Sequence, residues 1–195
     1  MTKVIAGASM SLDGFIAGPD ETGFEHLFRW LGSGDVEVPT ADPGHTLRMS
    51  AVDAEYLREQ WDSTGAIVVG RRLFDFTRGW GGSHPIGRPV VVVTHRVPEG
   101  WDDTPFTFVT DGVASAVERA RALAGDGWVG VNGGTMARQC LEAGLLDTIG
   151  VDLVPVLLGK GVPLFGELAN APVRLGAPQV VEGSGVTHLR YDVVR

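Results

Sequence analysis

The chain has 195 residues, 44% of them hydrophobic, which is enough apolar content for a single domain, residues 1–195, to close around one core. A formal net charge of −8 leaves no basic stripe to meet a phosphate backbone, so nucleic-acid binding is not expected. One cysteine, Cys140, excludes an internal disulfide and a multi-cysteine zinc site, and no segment reaches membrane-spanning length.

The opening MTKVIAGASMSLDG has no long apolar stretch of the secretory kind, so a cytoplasmic protein is expected. Lys3 to Ser9 predicts a first strand, and Phe24 to Leu31 a short helix followed by a Gly/Pro-rich connection through Gly44. Val52 to Trp61 predicts a helix with Val52, Tyr56 and Leu57 near one face and Trp61 below them. Then strands and helices alternate: a strand at Ala66 to Val69, a helix at Arg71 to Arg78, and a valine-rich strand at Pro89 to Thr94. A short strand at Phe106 to Val109, a helix at Val113 to Leu123 and a strand at Trp128 to Val131 follow. A helix from the next glycines to near Gly144 leads into the apolar strand IGVDLVPVLLG. The chain ends in Gln179 to Glu182, a turn at Gly183-Ser184-Gly185 and the alternating VTHLRYDVV, a hairpin. The predicted fold is α/β, with a mostly parallel central sheet flanked by helices and a C-terminal antiparallel hairpin.

Trp128 to Phe165 carries the strongest chemical signal. A strand runs into the pair Gly133-Gly134 and a helix starts at once. Glycines let backbone approach a ligand, and a helix start offers unpaired N–H groups and partial positive charge, the physics of a phosphate cradle. A tight connection would need the same residues. The next strand carries a lone acid, Asp152, amid apolar neighbours, where a carboxylate needs either a partner or a function. VVGRR (Val68 to Arg72) and VVVVTHR (Val90 to Arg96) both end buried strands in arginines, whose planar forks suit phosphate. In open parallel sheets ligands bind at the carboxyl ends of the strands, where these motifs fall together. Asp13, in SLDGFIAG, is expected to cap its own turn. Cys140 is expected to be a small buried hydrophobe. The five histidines show no close pairing of the metal-binding type, so no metal is expected.

With these motifs in place, the sequence resembles the dihydrofolate reductase-like superfamily, in the branch shared with the reductase domain of bacterial riboflavin biosynthesis. SLDGFIAG, GRRLFD (Gly70 to Asp75), VVTHR (Val92 to Arg96), NGGTMARQ (Asn132 to Gln139) and LVPVLLGKGVPLF (Leu153 to Phe165) occur in family order over nearly the whole chain. The resemblance implies an NADPH-binding sheet. Gly70, Arg71 and Arg72 would lie at the 2′-phosphate or pyrophosphate region. Thr94, His95 and Arg96 would meet the adenosine 2′-phosphate, and Asn132, Gly133, Gly134, Thr135 and Met136 the pyrophosphate. Leu73 stands where the family usually has threonine, which removes one hydroxyl contact. The acid that holds the pterin in true dihydrofolate reductases has no clear match, since Asp53 and Glu55 straddle its expected place. The histidine and paired cysteines of the riboflavin enzymes' deaminase domain are not in this sequence, as in the stand-alone branch.

The expected activity is reduction of a small heterocyclic or pterin-like C=N or C=O substrate by NADPH. Asp152 is the first candidate for the acid that orients substrate or relays a proton, and Asp53 the second. A nucleotide-binding protein without catalysis and a true dihydrofolate reductase are the alternatives. LVPVLLGKGVPLF would supply a self-complementary surface for a homodimer, or else be an ordinary buried strand and loop.

Overall fold

A computed structural model of the chain describes residues 2–101 and 104–195. The strands are β1 (Val4–Ser11), β2 (Phe15–Ala17), β3 (Val36–Pro39), β4 (Thr46–Met49), β5 (Thr64–Gly70), β6 (Val90–Val93), β7 (Phe106–Val109), β8 (Trp128–Asn132), β9 (Thr148–Val154), β10 (Val162–Pro163), β11 (Gln179–Glu182) and β12 (Thr187–Asp192). The helices are α1 (Phe24–Leu27), α2 (Ala51–Ser63), α3 (Arg71–Phe76), α4 (Val113–Ala124) and α5 (Thr135–Glu142). Among the described residues no helix is long and apolar enough to cross a membrane.

Eight strands form one sheet in the order β11-β12-β9-β1-β8-β5-β6-β7. From β9 to β7 every pairing is parallel, and β12 and β11 add antiparallel strands at one edge, as the period-two C-terminus predicts. Alternation along the strands separates two faces. Val4 and Ala6 of β1, Val129 and Val131 of β8, and Ile149 and Val151 of β9 point to one face, where α4 and α5 cover them. Ala116, Val117 and Ala120 of α4 and Ala137 and Cys140 of α5 are fully buried there. Cys140 thus packs as a hydrophobe, and burial pushes its thiol up to about 12.

The opposite face carries two smaller cores. One gathers Trp30, Val38, Met49, Ala54, Val154 and Val186, the other Ile67, Val69, Val90, Val92, Phe74 and Phe106. Between them the middle strands present glycines, Gly7 of β1, Gly130 of β8 and Gly150 of β9, with Gly7 beside Gly150 in register. A side chain at Gly7 would meet nothing within 4 Å, so this part of the sheet is uncovered floor.

Several details differ from the sequence reading. The connection through Gly44 contains the β3–β4 hairpin, and β2 pairs with β10 in a small separate ribbon. The expected helix over Phe24 to Leu31 is α1 followed by a tighter 3₁₀ turn at Arg29–Gly32. In α2 the buried residues are Asp53 and Ala54, while Val52 is 47% exposed. The helix turns an acid inward because a polar partner waits there. Asp13 does more than cap its turn: it accepts Ser11 Oγ at 2.6 Å and the amides of Leu158 and Gly159 at 3.1 and 2.7 Å, tying the loop after β1 to the loop after β9. In LVPVLLGKGVPLF, Leu164 is buried and Leu157 is 69% exposed.

Candidate functional site

Two cavities open on the glycine-rich centre of the sheet. The first, about 330 Å³, lies at the carboxyl ends of β5 and β8. Gly70, Arg72, Asn132, Gly133, Gly134, Thr135 and Met136 all line it. Gly134 has φ 74, the left-handed region that favours glycine, and α5 begins directly after it. No side chain caps α5, so its first N–H groups are without intrahelical partners. A side chain at Gly133 would come within 3.0 Å of Ile16 Cδ1, 3.1 Å of Leu164 Cδ1 and 3.2 Å of Ala8 Cβ, so the chain passes closely between β1 and β2 there. The far wall is aromatic: Phe24 stacks on Phe28 at 5.6 Å and against Phe76 at 5.5 Å. Arg72 Nε donates to Glu21 Oε1 at 2.5 Å across the cavity rim, and Glu21 itself holds a left-handed φ of 60.

The remaining predicted residues cluster beside this cavity without lining it. Arg71 Nε donates to both carboxylate oxygens of Asp75, and Nη1 donates to Thr94 Oγ1 at 3.3 Å and the Arg96 carbonyl at 3.1 Å. Thr94 is buried, whereas His95 and Arg96 project into solvent at the end of β6. Leu73 lines the cavity in the place of the family threonine.

The second cavity, about 440 Å³, runs over the glycine floor beneath α2. Trp30, Tyr56, Trp61 and Trp128 form its walls with Phe28 at one end and His84 at another. The two cavities share Gly7, Ala8, Ser9, Phe28 and Asn132, so they are compartments of one cleft. Asp152 reaches this second compartment with its side chain 22% exposed.

The acid is not alone. β12 lies antiparallel to β9 with His188 directly opposite Asp152, and on β1 Ser9 is the register partner on the other side. His188 Nδ1 meets Asp152 Oδ1 at 2.7 Å, and its Nε2 meets Asp53 Oδ1 at 3.1 Å. Asp53 is fully buried and accepts Ser50 Oγ at 2.5 Å and the Ser184 amide at 3.1 Å on its other oxygen. Gly183 must stay bare, because a Cβ there would fall 1.8 Å from Asp53 Oδ1. Tyr56 stacks on the imidazole at 4.0 Å, and Trp30 meets it edge-on at 5.1 Å while donating Nε1–H to Ser9 Oγ at 3.2 Å.

Burial alone would push the His188 imidazole down, but the hydrogen bonds and charges of Asp152 and Asp53 outweigh it and hold its pKa above the usual histidine value. Burial, then the Asp152 charge, drives the Tyr56 phenol well above its ordinary range and keeps it protonated. Burial lowers His84 to about 4, so it faces the cavity as a neutral ring. Asp152 therefore presents a carboxylate edge to the cavity, and Asp53 sits behind His188, out of its reach. Of the two acids that straddle the expected place on α2, Asp53 faces inward and Glu55 outward. Among the described residues no group of three His, Cys, Asp or Glu side chains is set to hold a metal ion.

His188, Tyr56 and Trp30 were not singled out from the sequence. Alternation in VTHLRYDVV marks a strand, and only the register of that strand sets His188 against Asp152.

A family model described as the RibD C-terminal domain matches residues 2–190. The fold is also similar to solved structures. A Shewanella sp. PV-4 protein provisionally assigned to riboflavin biosynthesis is 26% identical, covers 100% of both chains and has a TM-score of 0.69. The Thermotoga maritima diaminohydroxyphosphoribosylaminopyrimidine deaminase/5-amino-6-(5-phosphoribosylamino)uracil reductase is 13% identical, with a TM-score of 0.60 over 99% of this chain and 57% of that one. Enterococcus faecalis dihydrofolate reductase, solved with NADP(H), is 16% identical with a TM-score of 0.55 over 98% of this chain and 96% of that one.

Proposed function

The chain belongs to the RibD C-terminal domain family, and on that premise we propose that it is an NADPH-dependent reductase of a small heterocyclic C=N or C=O substrate. The observation that carries this reading is the meeting of two compartments at Gly7, Ala8, Ser9, Asn132 and Phe28. One compartment has the features of a dinucleotide cradle and the other has room for a ring compound. A binding protein without catalysis would have no use for the second.

The first compartment fits the dinucleotide on its own geometry. The left-handed Gly134, the uncapped start of α5 and the bare Gly133 give a pyrophosphate close backbone approach and unpaired N–H donors. Arg72 can exchange the Glu21 carboxylate for a phosphate, and Arg71, Thr94, His95 and Arg96 lie at the neighbouring strand ends for the 2′-phosphate. Bound there, NADPH supplies the hydride. Ser9, Asn132 and Phe28 border the shared floor, where donor and acceptor carbons would meet. Asp152 holds the substrate from the far side of that junction or passes a proton to the atom beside the reduced carbon.

Loss of NADPH absorbance over a panel of cyclic imines, pterins and ketones tests the reading, with calorimetry of NADPH and NADH alone. Turnover of any panel member with NADPH bound more tightly than NADH is the expected result. Tight nucleotide binding without turnover would instead favour the non-catalytic alternative.

A further inference from the structure

At its His84 end the second compartment is bounded by two pieces of chain that are distant in sequence. Thr40, His45 and Leu47 come from the β3–β4 hairpin, and His84, Pro85 and Ile86 from the loop between α3 and β6. Among the described residues one hydrogen bond joins the two pieces, from the Ala41 N–H to the Pro85 carbonyl at 2.6 Å. The hairpin is the anchored piece. Val38 of β3 and Met49 of β4 are buried in the Trp30 core, and Arg58 Nη2 on α2 donates to the Glu37 carbonyl at 2.7 Å. Its tip is a self-bonded turn, in which Thr40 Oγ1 donates to the His45 carbonyl at 2.8 Å and Asp42 Oδ1 accepts the Gly44 N–H at 2.9 Å. The other piece is hinged. Residues 83–86 are closed on themselves by the Gly87 N–H, which donates to the His84 carbonyl at 2.7 Å, so they can move as a body. Left-handed backbone flanks them on both sides: a run of five positive-φ residues from Arg78 to Gly82 precedes them, and Gly87 at φ 65 follows. Within that run Arg78 (φ 51) and Trp80 (φ 50) are not glycines, so they store strain that a change of φ releases. Strain of this kind collects at ligand clamps and switches. What opposes its release is slight: Trp80 and Ile86 sit partly buried at the rim of the Phe74 core, and the His84 ring meets Trp80 edge-on at 4.7 Å.

We propose that residues 83–86 form a gate held shut against the hairpin tip, and that ligands of the second compartment enter and leave beneath it while the first compartment is filled. The proposal rests on the reading that the first compartment holds the dinucleotide and the second the substrate. Both compartments border Gly7, Ala8, Ser9 and Asn132, so a dinucleotide reaching that shared floor blocks passage through it. An opening at the His84 end lets substrate and product exchange without release of the dinucleotide. The moving part is the hinged piece, and the anchored hairpin is the post it closes on.

A reversible crosslink tests the gate. A Cβ at Gly87 would lie 3.2 Å from Ala41 Cβ, just short of the ordinary disulfide spacing of about 3.5–4.5 Å, so Ala41→Cys with Gly87→Cys can lock the two pieces together. Cys140 stays out of the exchange, being fully buried with its thiol pushed up to about 12. The reduced form of the same double variant is the control, since it carries the same strain at Gly87. The probe is prodan, a flat neutral naphthalene dye that brightens in apolar cavities, used on the intact chain saturated with NADPH. Dye added before oxidation should stay with the protein through gel filtration, dye added after oxidation should be excluded, and reduction should restore exchange. Gly81→Val serves where the crosslink does not form. A Cβ there meets nothing within 4 Å, but φ 68 is strained for a β-branched residue, so the shut state is disfavoured and dye exchange should speed about tenfold. Equal exchange in locked and reduced protein, or an unchanged rate in Gly81→Val, overturns the gate and leaves the reading of the compartments standing. Dye that binds no form of the protein removes the second compartment as a binding site, and the gate with it. Calorimetry of NADPH is separate: a chain that does not bind it loses the cofactor reading, and the same dye experiment without nucleotide then decides the gate.

Discussion

His188 and Asp152 stand opposite each other in the β12–β9 ladder, and their side chains meet at 2.7 Å. The opposite ring nitrogen reaches Asp53 on α2, so one imidazole joins the edge hairpin, a central strand and the helix that roofs the cavity. Directly opposed residues on one sheet face are the natural pairing unit of an antiparallel ladder, and here the pair is extended by a third residue from another layer.

The trio ties stability to pH. The folded-state pKa of His188 is raised above its unfolded value of about 6.5, so its contribution is fully present below that value and is lost as pH rises through the raised folded value. Urea midpoints should fall in the unmutated chain as pH rises above about 6.5. His188→Gln leaves Asp53 buried without its partner, which should cost about 3–5 kcal/mol and flatten that alkaline decline. A variant with an unchanged midpoint and the same pH slope would show that the imidazole carries no charge in the fold.

The parallel core is legible in runs such as Ala66 to Val69 and Val90 to Val93, which are apolar throughout because both faces of those strands are covered. The C-terminal hairpin was legible from alternation. The β3–β4 hairpin was not, because VEVP and TLRM are short, polar-flanked pieces held in place by Trp30 and α2. On α2, Tyr56, Leu57 and Trp61 face inward as the apolar spacing predicts, but Val52 is exposed and Asp53 is buried instead, which only the distant His188 and Ser184 make tolerable. Asp152 and the glycine pair could be found from local pattern. His188, 36 residues away from Asp152, becomes visible only with the strand register.

The compartment proposed for the cofactor predicts a graded response to charge. Arg72 is held by Glu21 in an exposed ion pair worth little by itself, so Glu21→Gln should free the guanidinium and tighten NADPH about twofold to fivefold. Arg96→Ala should weaken NADPH by about 1–3 kcal/mol and barely affect NADH, because the proposed contact is to the 2′-phosphate. Calorimetry with both nucleotides checks the pair, and equal affinities for NADPH and NADH in the unmutated chain would remove the assignment.

Gly134→Val places a β-branched residue at φ 74, where L side chains are strained, and directs new bulk toward the start of α5. Crowding is not the obstacle, since the nearest atom to the new Cβ would be Ile16 Cδ1 at 3.6 Å. Dinucleotide binding should vanish in a chain that still folds by circular dichroism. Normal NADPH binding in that variant would reduce the glycine pair to a tight connection.

Asp152 and Asp53 contact the same imidazole but differ in what else they touch, and that difference separates their roles. Asp152 borders the cavity, and Asp53 is sealed behind His188 with Ser50 and the Ser184 amide. Asp152→Asn keeps the shape and removes the charge, so turnover should fall by about 10²-fold or more while NADPH affinity stays intact. Asp53→Asn should instead cost stability, with turnover per folded molecule close to normal, since Asp53 does not line the compartment proposed for the substrate. Single-turnover rates on chains titrated for their folded fraction compare the two directly. Unchanged kinetics in a folded Asp152→Asn protein, together with lost turnover in Asp53→Asn, would reverse the assignment and make the buried acid the one that chemistry depends on.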